Sequence, residues 1–265
     1  MKPARKTILC SLFLLLQTWV ALAQAATTAQ VVVPNALANV EGNSSTSDPF
    51  TSSSFRFQQV FDASQFSFLG STSFARIDSI SFRIDGASSD NVLYSFGGAS
   101  VQLSTTTKSA DDLSAVFAEN IGADVVTIRN GAISFGGTFQ PGSNPQPFGQ
   151  VIPATTPFFY VPSRGNLLLD ITAGGGLVLF PGSLDAQSTP GDSVSRVFAN
   201  SEIALSGTAD SLGLVTRFNL TIIPEPSTSA LLILGAGMTM LFLRRKCSDP
   251  GPRAPVASAS RGPGR

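Results

Sequence analysis

Phe55-Arg56-Phe57-Gln58-Gln59-Val60-Phe61 sets Phe55, Phe57 and Phe61 on one face of a period-two pattern, the signature of a strand whose aromatic side enters a core. Gln58 and Gln59 fall on opposite faces, so the stretch reads as strand surface plus one satisfied core amide. The same alternation returns in Ser79-Ile80-Ser81-Phe82-Arg83-Ile84, where Ile80, Phe82 and Ile84 share a side. Outward from these two, further strands are predicted over 99–105, 124–129, 132–139, 158–161, 167–172, 177–180, 194–198 and 214–222. Asp85-Gly86, Gly97-Gly98, Asn130-Gly131, Pro141-Gly142, Arg164-Gly165-Asn166, Pro181-Gly182 and Pro190-Gly191 read as the turns between them. Many short strands at this spacing predict an all-β, antiparallel β-sandwich, jelly-roll-like, over residues 54–222.

One segment departs from the period. Ser109 to Phe117 opens with a Ser N-cap candidate, carries Asp111 and Asp112 in its first turn, and spaces Leu113, Val116 and Phe117 helically. It predicts one short helix of two turns packed on the sandwich. Residues 26–53 are polar enough to read as a partly loose lead-in.

Both ends of the chain carry membrane-directed text. Lys2, Arg5 and Lys6 precede a 13-residue apolar run from Ile8 to Val20, and Ala21, Ala23 and Ala25 follow. This is the layout of a secretory signal peptide over residues 1–25, with cleavage after Ala23 or Ala25. An uncleaved anchor is disfavoured, because anchoring needs about 20 apolar residues. A lipoprotein signal is also disfavoured, since Cys10 opens the apolar run instead of following it.

At the other end, Pro224-Glu225-Pro226 precedes a 17-residue apolar run, Ser227 to Leu243, which ends at Arg244-Arg245-Lys246. Two prolines without backbone donors keep this tripeptide out of a helix interior or the middle of a sheet, so Glu225 is expected on an exposed extended stub. The run would form a single transmembrane helix, 227–243, about 25 Å long. The basic triplet would hold its end in the cytoplasm, leaving the body outside. Beyond it, residues 247–265 are rich in Pro, Gly, Ala and Ser and are expected to be a disordered tail. The plain alternative is an ordinary C-terminal anchor with a proline-rich juxtamembrane turn.

This order of motif, span and basic cluster resembles the PEP-CTERM sorting signal of Gram-negative bacteria over residues 223–246. The tail after Lys246 is longer than such signals carry. The resemblance implies Pro224, Glu225 and Pro226 as the recognition element for exosortase, a membrane cysteine transpeptidase, and Arg244, Arg245 and Lys246 as the stop and orientation element. It implies the Sec translocon and signal peptidase as further partners, and a single-pass intermediate in the inner membrane with a periplasmic body. Display at the cell surface or in an extracellular, biofilm-type matrix would follow, with exopolysaccharide as a candidate neighbour. The body also resembles a recurring PEP-CTERM body type in 56–61, 103–106, 117–124, 165–170 and 191–198. That likeness implies a β-rich exported domain and no particular site.

Composition narrows the chemistry. The whole chain balances 17 basic against 17 acidic residues, but between Ala26 and Ile223 eight basic face 15 acidic, a net charge of −7. An acidic body argues against nucleic acid, whose binding needs basic residues opposite phosphates. Cys10 and Cys247 both lie outside the body, so an exported domain would hold together without a disulfide. Its length suffices for an unaided core.

The chain contains no histidine, which removes Ser-His-Asp and Cys-His catalysis in their usual forms and any imidazole metal site. Gly191-Asp192-Ser193-Val194 resembles the Gly-Asp-Ser block of lipolytic hydrolases, but stands late in the chain without a following histidine, and reads as a turn entering a strand. Lys108, the body's sole lysine, reads as a solvated charge in preference to half of a Ser-Lys dyad. Asp111 and Asp112 would serve a helix start before they served a glycosidase. Asp85 to Asn91 offers oxygen donors for Ca²⁺ without a recognised calcium-loop spacing, and reads as an Asx-rich hairpin loop. Of the aromatic residues in the body, Tyr94 and Tyr160 alone combine a ring with a polar handle, so a carbohydrate-binding surface would draw on them. No catalytic residue, metal or cofactor is expected. The first reading is an exported, exosortase-processed surface or matrix protein without catalytic activity; the alternatives are a carbohydrate-binding adhesin and a carboxylate-based glycoside hydrolase.

Overall fold

The computed structural model describes residues 26–70, 73–87, 90–224 and Thr239. The expected signal peptide with Ala23 and Ala25, residues 247–265, Glu225, Pro226, Arg244, Arg245, Lys246 and all of the apolar run except Thr239 lie outside the described residues. Among the described residues, no helix is long and apolar enough to cross a membrane.

The strands are β1 (Thr27–Val33), β2 (Ser44–Thr46), β3 (Phe55–Phe61), β4 (Ser73–Arg83), β5 (Val92–Thr106), β6 (Val126–Gly137), β7 (Phe148–Tyr160), β8 (Asn166–Pro181), β9 (Leu184–Ser188), β10 (Val194–Ala199), β11 (Thr208–Asp210), β12 (Leu212–Leu214) and β13 (Thr216–Pro224). They form sheets of order β1-β13-β4-β7, β11-β10-β3-β8-β5-β6 and β12-β9-β2. Each ladder between them is antiparallel. The first two sheets meet through aromatic side chains. Phe61 on β3 packs edge-on against Phe218 on β13, with ring centres 4.9 Å apart, and Phe82 on β4 meets Phe135 on β6 at 5.8 Å. An all-β, sandwich-like body results, as the alternation predicts.

The opening stretch shows how its core is built. Phe55, Phe57 and Phe61 lie fully buried between the sheets, while Val60 on the reverse face enters a second cluster with Leu113, Phe117, Leu168 and Val197. β3 is therefore covered on both faces, and both glutamines are core amides, where the sequence predicts one. Gln59 pairs with the backbone of Leu214 in both directions, donating to its carbonyl at 2.9 Å and accepting from its N–H at 2.8 Å. Gln58 donates to Asp170 Oδ2 at 2.7 Å and to the Phe117 carbonyl, and accepts from Asn120 Nδ2. A buried amide with all these partners is neutral to mildly stabilising, whereas one without them would be costly.

The layer over the back of β3 is the segment expected to be helical, and it is not a two-turn helix. Asp111 adopts a left-handed backbone (φ 62°), which a right-handed helix does not admit. Its N–H donates to Ser195 Oγ and its carboxylate accepts from Gly191 N–H at 2.6 Å. Ser114 N–H donates to Asn120 Oδ1, and a single 3-10 turn, Phe117–Glu119, follows. Remote partners satisfy the backbone here and outweigh a weak local propensity. Leu113 and Phe117 still reach one cluster, though by another path.

Residues 26–53 are a second correction. β1 pairs with β13 along its whole length, from Thr27 opposite Ile222 to Val33 opposite Thr216, and Val31 and Val33 are buried. Phe50 is fully buried and touches Phe55, Phe57, Tyr94 and Phe135. The compact unit accordingly runs Ala25–Glu225, instead of beginning near residue 54 and ending at 222. Two of the expected turns lie within long strands: Gly97-Gly98 forms a bulge that shifts the register of β5, and Asn130-Gly131 is regularly paired inside β6 opposite Ser100 and Ala99. Glycine permits the bulge without ending the strand.

Candidate functional site

Pro224 is the last residue of β13, with Ser73 as its register partner on β4. A proline without an amide hydrogen is suited to the closing position of a strand. Of the Pro224-Glu225-Pro226 tripeptide, the first residue thus closes the strand and the other two lie outside the described residues.

Within the body, the densest charged constellation is one the sequence scatters over 145 positions. Glu41 follows the first 3-10 turn, Arg83 closes β4, Asp85 opens the next turn, and Asp185 lies on β9. Carboxylate oxygens of Glu41, Asp85 and Asp185 stand within 4.8 Å of one another. Asp185 receives Arg83 Nε at 2.6 Å on one oxygen and the Gly42 amide at 2.9 Å on the other. Arg83 Nη2 donates to the Val40 carbonyl. Glycine is required at position 42 by close approach, since a Cβ there would fall 2.0 Å from the Ala186 carbonyl oxygen. Both partners of the ion pair have fully buried side chains. Burial pushes the Asp185 carboxyl up to about 6; the charge and hydrogen bond of Arg83 oppose this, and Glu41 adds to it.

Three carboxylates at this spacing would suit a cation, but a guanidinium already holds the most buried of them. Glu41 accepts from Gln146 N–H at 2.8 Å through Oε1, while its Oε2 is shielded without a partner. The strands on either side of the Asp85 to Asn91 segment, β4 and β5, belong to different sheets, so it connects two sheets and is not the expected hairpin loop; Asp85 accepts from Ala87 N–H at 3.3 Å and Asn91 from Phe139 N–H at 2.9 Å. Asp85 was singled out by sequence for its oxygen donors. Glu41 and Asp185 were not, because nothing local marks either as part of a cluster.

Two further arginines are built into the fold. Arg56 reaches Asp170 at 2.8 Å and lies over the Phe117 ring. Arg196 grips Asp210 with two nitrogens, also donates to Thr46 Oγ1 and the Asp48 carbonyl, and stacks on Phe198. These networks tie strands together through the protein's own acceptors.

The remaining sequence candidates separate. Tyr94 and Tyr160 are both fully buried, contrary to the expectation of a sugar platform. Their hydroxyls donate to the carbonyls of Gly182 and Gly165, and burial raises both phenols, Tyr94 to about 12. Their rings join the core, because the hydroxyl of each finds a carbonyl at the core's rim. Asp112 is exposed and Lys108 half-exposed.

Gly191-Asp192-Ser193-Val194 forms the turn into β10, with Asp192 Oδ1 accepting from Val194 N–H at 2.8 Å. That turn also forms one wall of an open groove of about 470 Å³, whose lining includes Pro34, Asn35, Asp62, Gln187, Asp192 and Ser193. Desolvation pushes the Asp192 carboxyl up, the Val194 amide opposes this, and Asp111 nearby reinforces it. Comparison with protein-family models, with curated proteins and with solved structures finds no match to this chain.

Proposed function

We propose that the chain is an exported, exosortase-processed protein of the cell surface or extracellular matrix, with a non-catalytic, jelly-roll-like body. The observation that carries this reading is the order of Pro224-Glu225-Pro226, apolar run and Arg244-Arg245-Lys246, beginning at the last residue of the last strand. One feature of the fold supports it: Thr27 pairs with Ile222, so the described chain enters and leaves the body at one end of one sheet.

Non-catalytic display is supported by how the body uses its charges. Asp170, Asp185 and Asp210 are each held by an arginine. Asp111 is tied to a backbone amide. Strand-fixing roles of this kind account for these groups without a reaction. The test is mass analysis of the mature C-terminus in a host with exosortase. Glu225→Ala should leave the body folded and block processing, since Glu225 carries the only charge of the tripeptide; normal release of that variant would contradict the proposal, as would a mature protein retaining residues through Lys246.

A further inference from the structure

The outer face of the sheet β1-β13-β4-β7 is apolar at one end and charged directly behind it. Ala75, Ile77, Phe158 and Tyr160 are buried in the core, so Phe74 on β4 and Phe159 on β7, next to them in sequence, fall on the opposite face. Their rings meet edge-on at 5.8 Å, and Phe159 is left 48% exposed. Ile223, the register partner of Phe74 on β13, joins them half-buried. A sheet face in water ordinarily carries polar side chains, and this one does so once past the rings. Arg76 bonds Asp78 at 2.6 Å, while Thr221 accepts from Arg76 and donates to Asp78. The rings thus stand between a charged band and the point where the chain leaves the sheet, since Pro224 closes β13 opposite Ser73.

The sequence past that point supplies an independent observation. Ser227 opens the apolar run three residues after Pro224, a reach of at most about 11 Å. With the run in a bilayer, the last row of the sheet is therefore held within or just above a headgroup layer about 6 Å deep. Phe74 follows Ser73 in that row, and Phe159 packs on it. Apolar rings are favoured at the headgroup and acyl boundary, with charged groups on its water side, which is the order found here. Two rings are too small a patch to hold a free protein on a membrane. A tether of two residues, Glu225 and Pro226, raises their effective concentration at the bilayer enough to keep them there.

We propose that the end of this sheet bearing Phe74, Phe159 and Ile223 is a lipid-docking face, which lays the body against the bilayer beside its own anchor. The proposal rests on the display reading for the run as a span, and adds what the body does there: it keeps the segment that a membrane enzyme must read close to the membrane surface. Ring burial carries the contact. The body's net charge of −7 gives it no attraction to anionic headgroups, so zwitterionic lipid suffices.

Fluorescence of the full chain in phosphatidylcholine vesicles, brominated near the top of the acyl chains, tests it. Trp19→Phe removes the chain's one tryptophan, and single tryptophans are then placed in that background. Phe159→Trp should lose about half of its emission to the brominated lipid and be shielded from iodide in the water. Phe74→Trp should do the same, and guards against a local defect at position 159. Val151→Trp is the contrast: it is also exposed on β7, but lies about 17 Å farther along the sheet, opposite Ser81 instead of Arg76, and should be quenched by iodide alone. Leu234→Trp, in the middle of the apolar run, reports the span itself. If Leu234→Trp is quenched by lipid while Phe159→Trp and Phe74→Trp are quenched only by iodide, the docking face falls and the display reading stands. If Leu234→Trp escapes the lipid, both fall. Equal lipid quenching at Val151→Trp and Phe159→Trp would mean adsorption without a preferred face, and shielding of Phe159→Trp from both quenchers would mean that a second copy of the chain covers the rings; either result overturns the assignment.

Discussion

β4 carries two arginines, and each bonds an aspartate through Nε at the same distance. Arg76 reaches Asp78 at 2.6 Å and Arg83 reaches Asp185 at 2.6 Å. In the first pair the side chains are 44% and 31% exposed; in the second both are 0% exposed. Distance therefore says nothing about which pair matters. In water the attraction of two charges is weak and screened, whereas in the interior an unpaired charge is so unfavourable that each member depends on the other.

The largest effect should come from breaking the buried member. Arg83→Met is expected to lower stability by about 3–5 kcal/mol in chemical denaturation near neutral pH, because it strands the Asp185 carboxylate in the core. Protonation can relieve that carboxylate, which gives the comparison a pH signature. Asp185 has its folded-state value raised to about 6 from an ordinary 3.8, so the unfolded chain releases this proton first. Its contribution thus favours folding less as pH rises between those values, with the full cost present above the upper one. Arg83 is the chief influence lowering that value, so removing it should move the Asp185 midpoint further upward in carbon-13 NMR of the side-chain carboxyl. The penalty of Arg83→Met should accordingly be smaller at pH 5 than at pH 8. A midpoint that falls in the variant would show that the pair is not electrostatically linked.

An intermediate effect is expected from Gln58, which is buried like Arg83 but uncharged. Gln58→Leu would fill the space while depriving Asn120 Nδ2 of one of its two acceptors and Asp170 of a donor. Leaving such groups underbonded costs about 1–3 kcal/mol, which thermal melts would register. A neutral result would mean that water reaches the back of β3 and that the 111–120 layer opens easily.

This layer also marks where sequence reading stops. The period-two pattern in Phe55–Phe61 and Ile80–Ile84 is a local property of each strand, so the fold class was legible from it. Burial of Gln58 was not, since it depends on partners 59 and 62 positions away, in a layer whose own text imitates a helix. Asp111 could serve either a helix dipole or the Gly191 amide, and only the folded chain brings Gly191 within reach. Val31, Val33 and Phe50 were hidden for another reason: the valines stand in a short apolar run whose role appears only when β13 supplies the ladder, and Phe50 is a lone apolar residue among polar neighbours whose ring partners lie on other strands. The candidate sites follow the same rule. Pro224, Glu225 and Pro226 are adjacent and were read at once, whereas Glu41 and Asp185 meet only because β9 returns beside the end of β4, and Asn35 shares a groove with Asp192 through folding alone.

The smallest effect should come from the surface pair, and its smallness is informative. Arg76 also donates to Thr221 Oγ1 at 3.2 Å, and Asp78 accepts from that hydroxyl at 2.6 Å, so loss of the guanidinium leaves Asp78 bonded and hydrated. Arg76→Ala is expected to cost less than about 1 kcal/mol, and less again in 1 M salt, where screening acts within a few ångströms. The Arg83→Met penalty should persist in the same salt, because ions do not enter the core. Denaturant titrations of both variants at low and high salt make the comparison directly. If both penalties fell in parallel, Arg83 and Asp185 would have to be reached by solvent, and the dry interior that separates these two bonds of equal length would be lost.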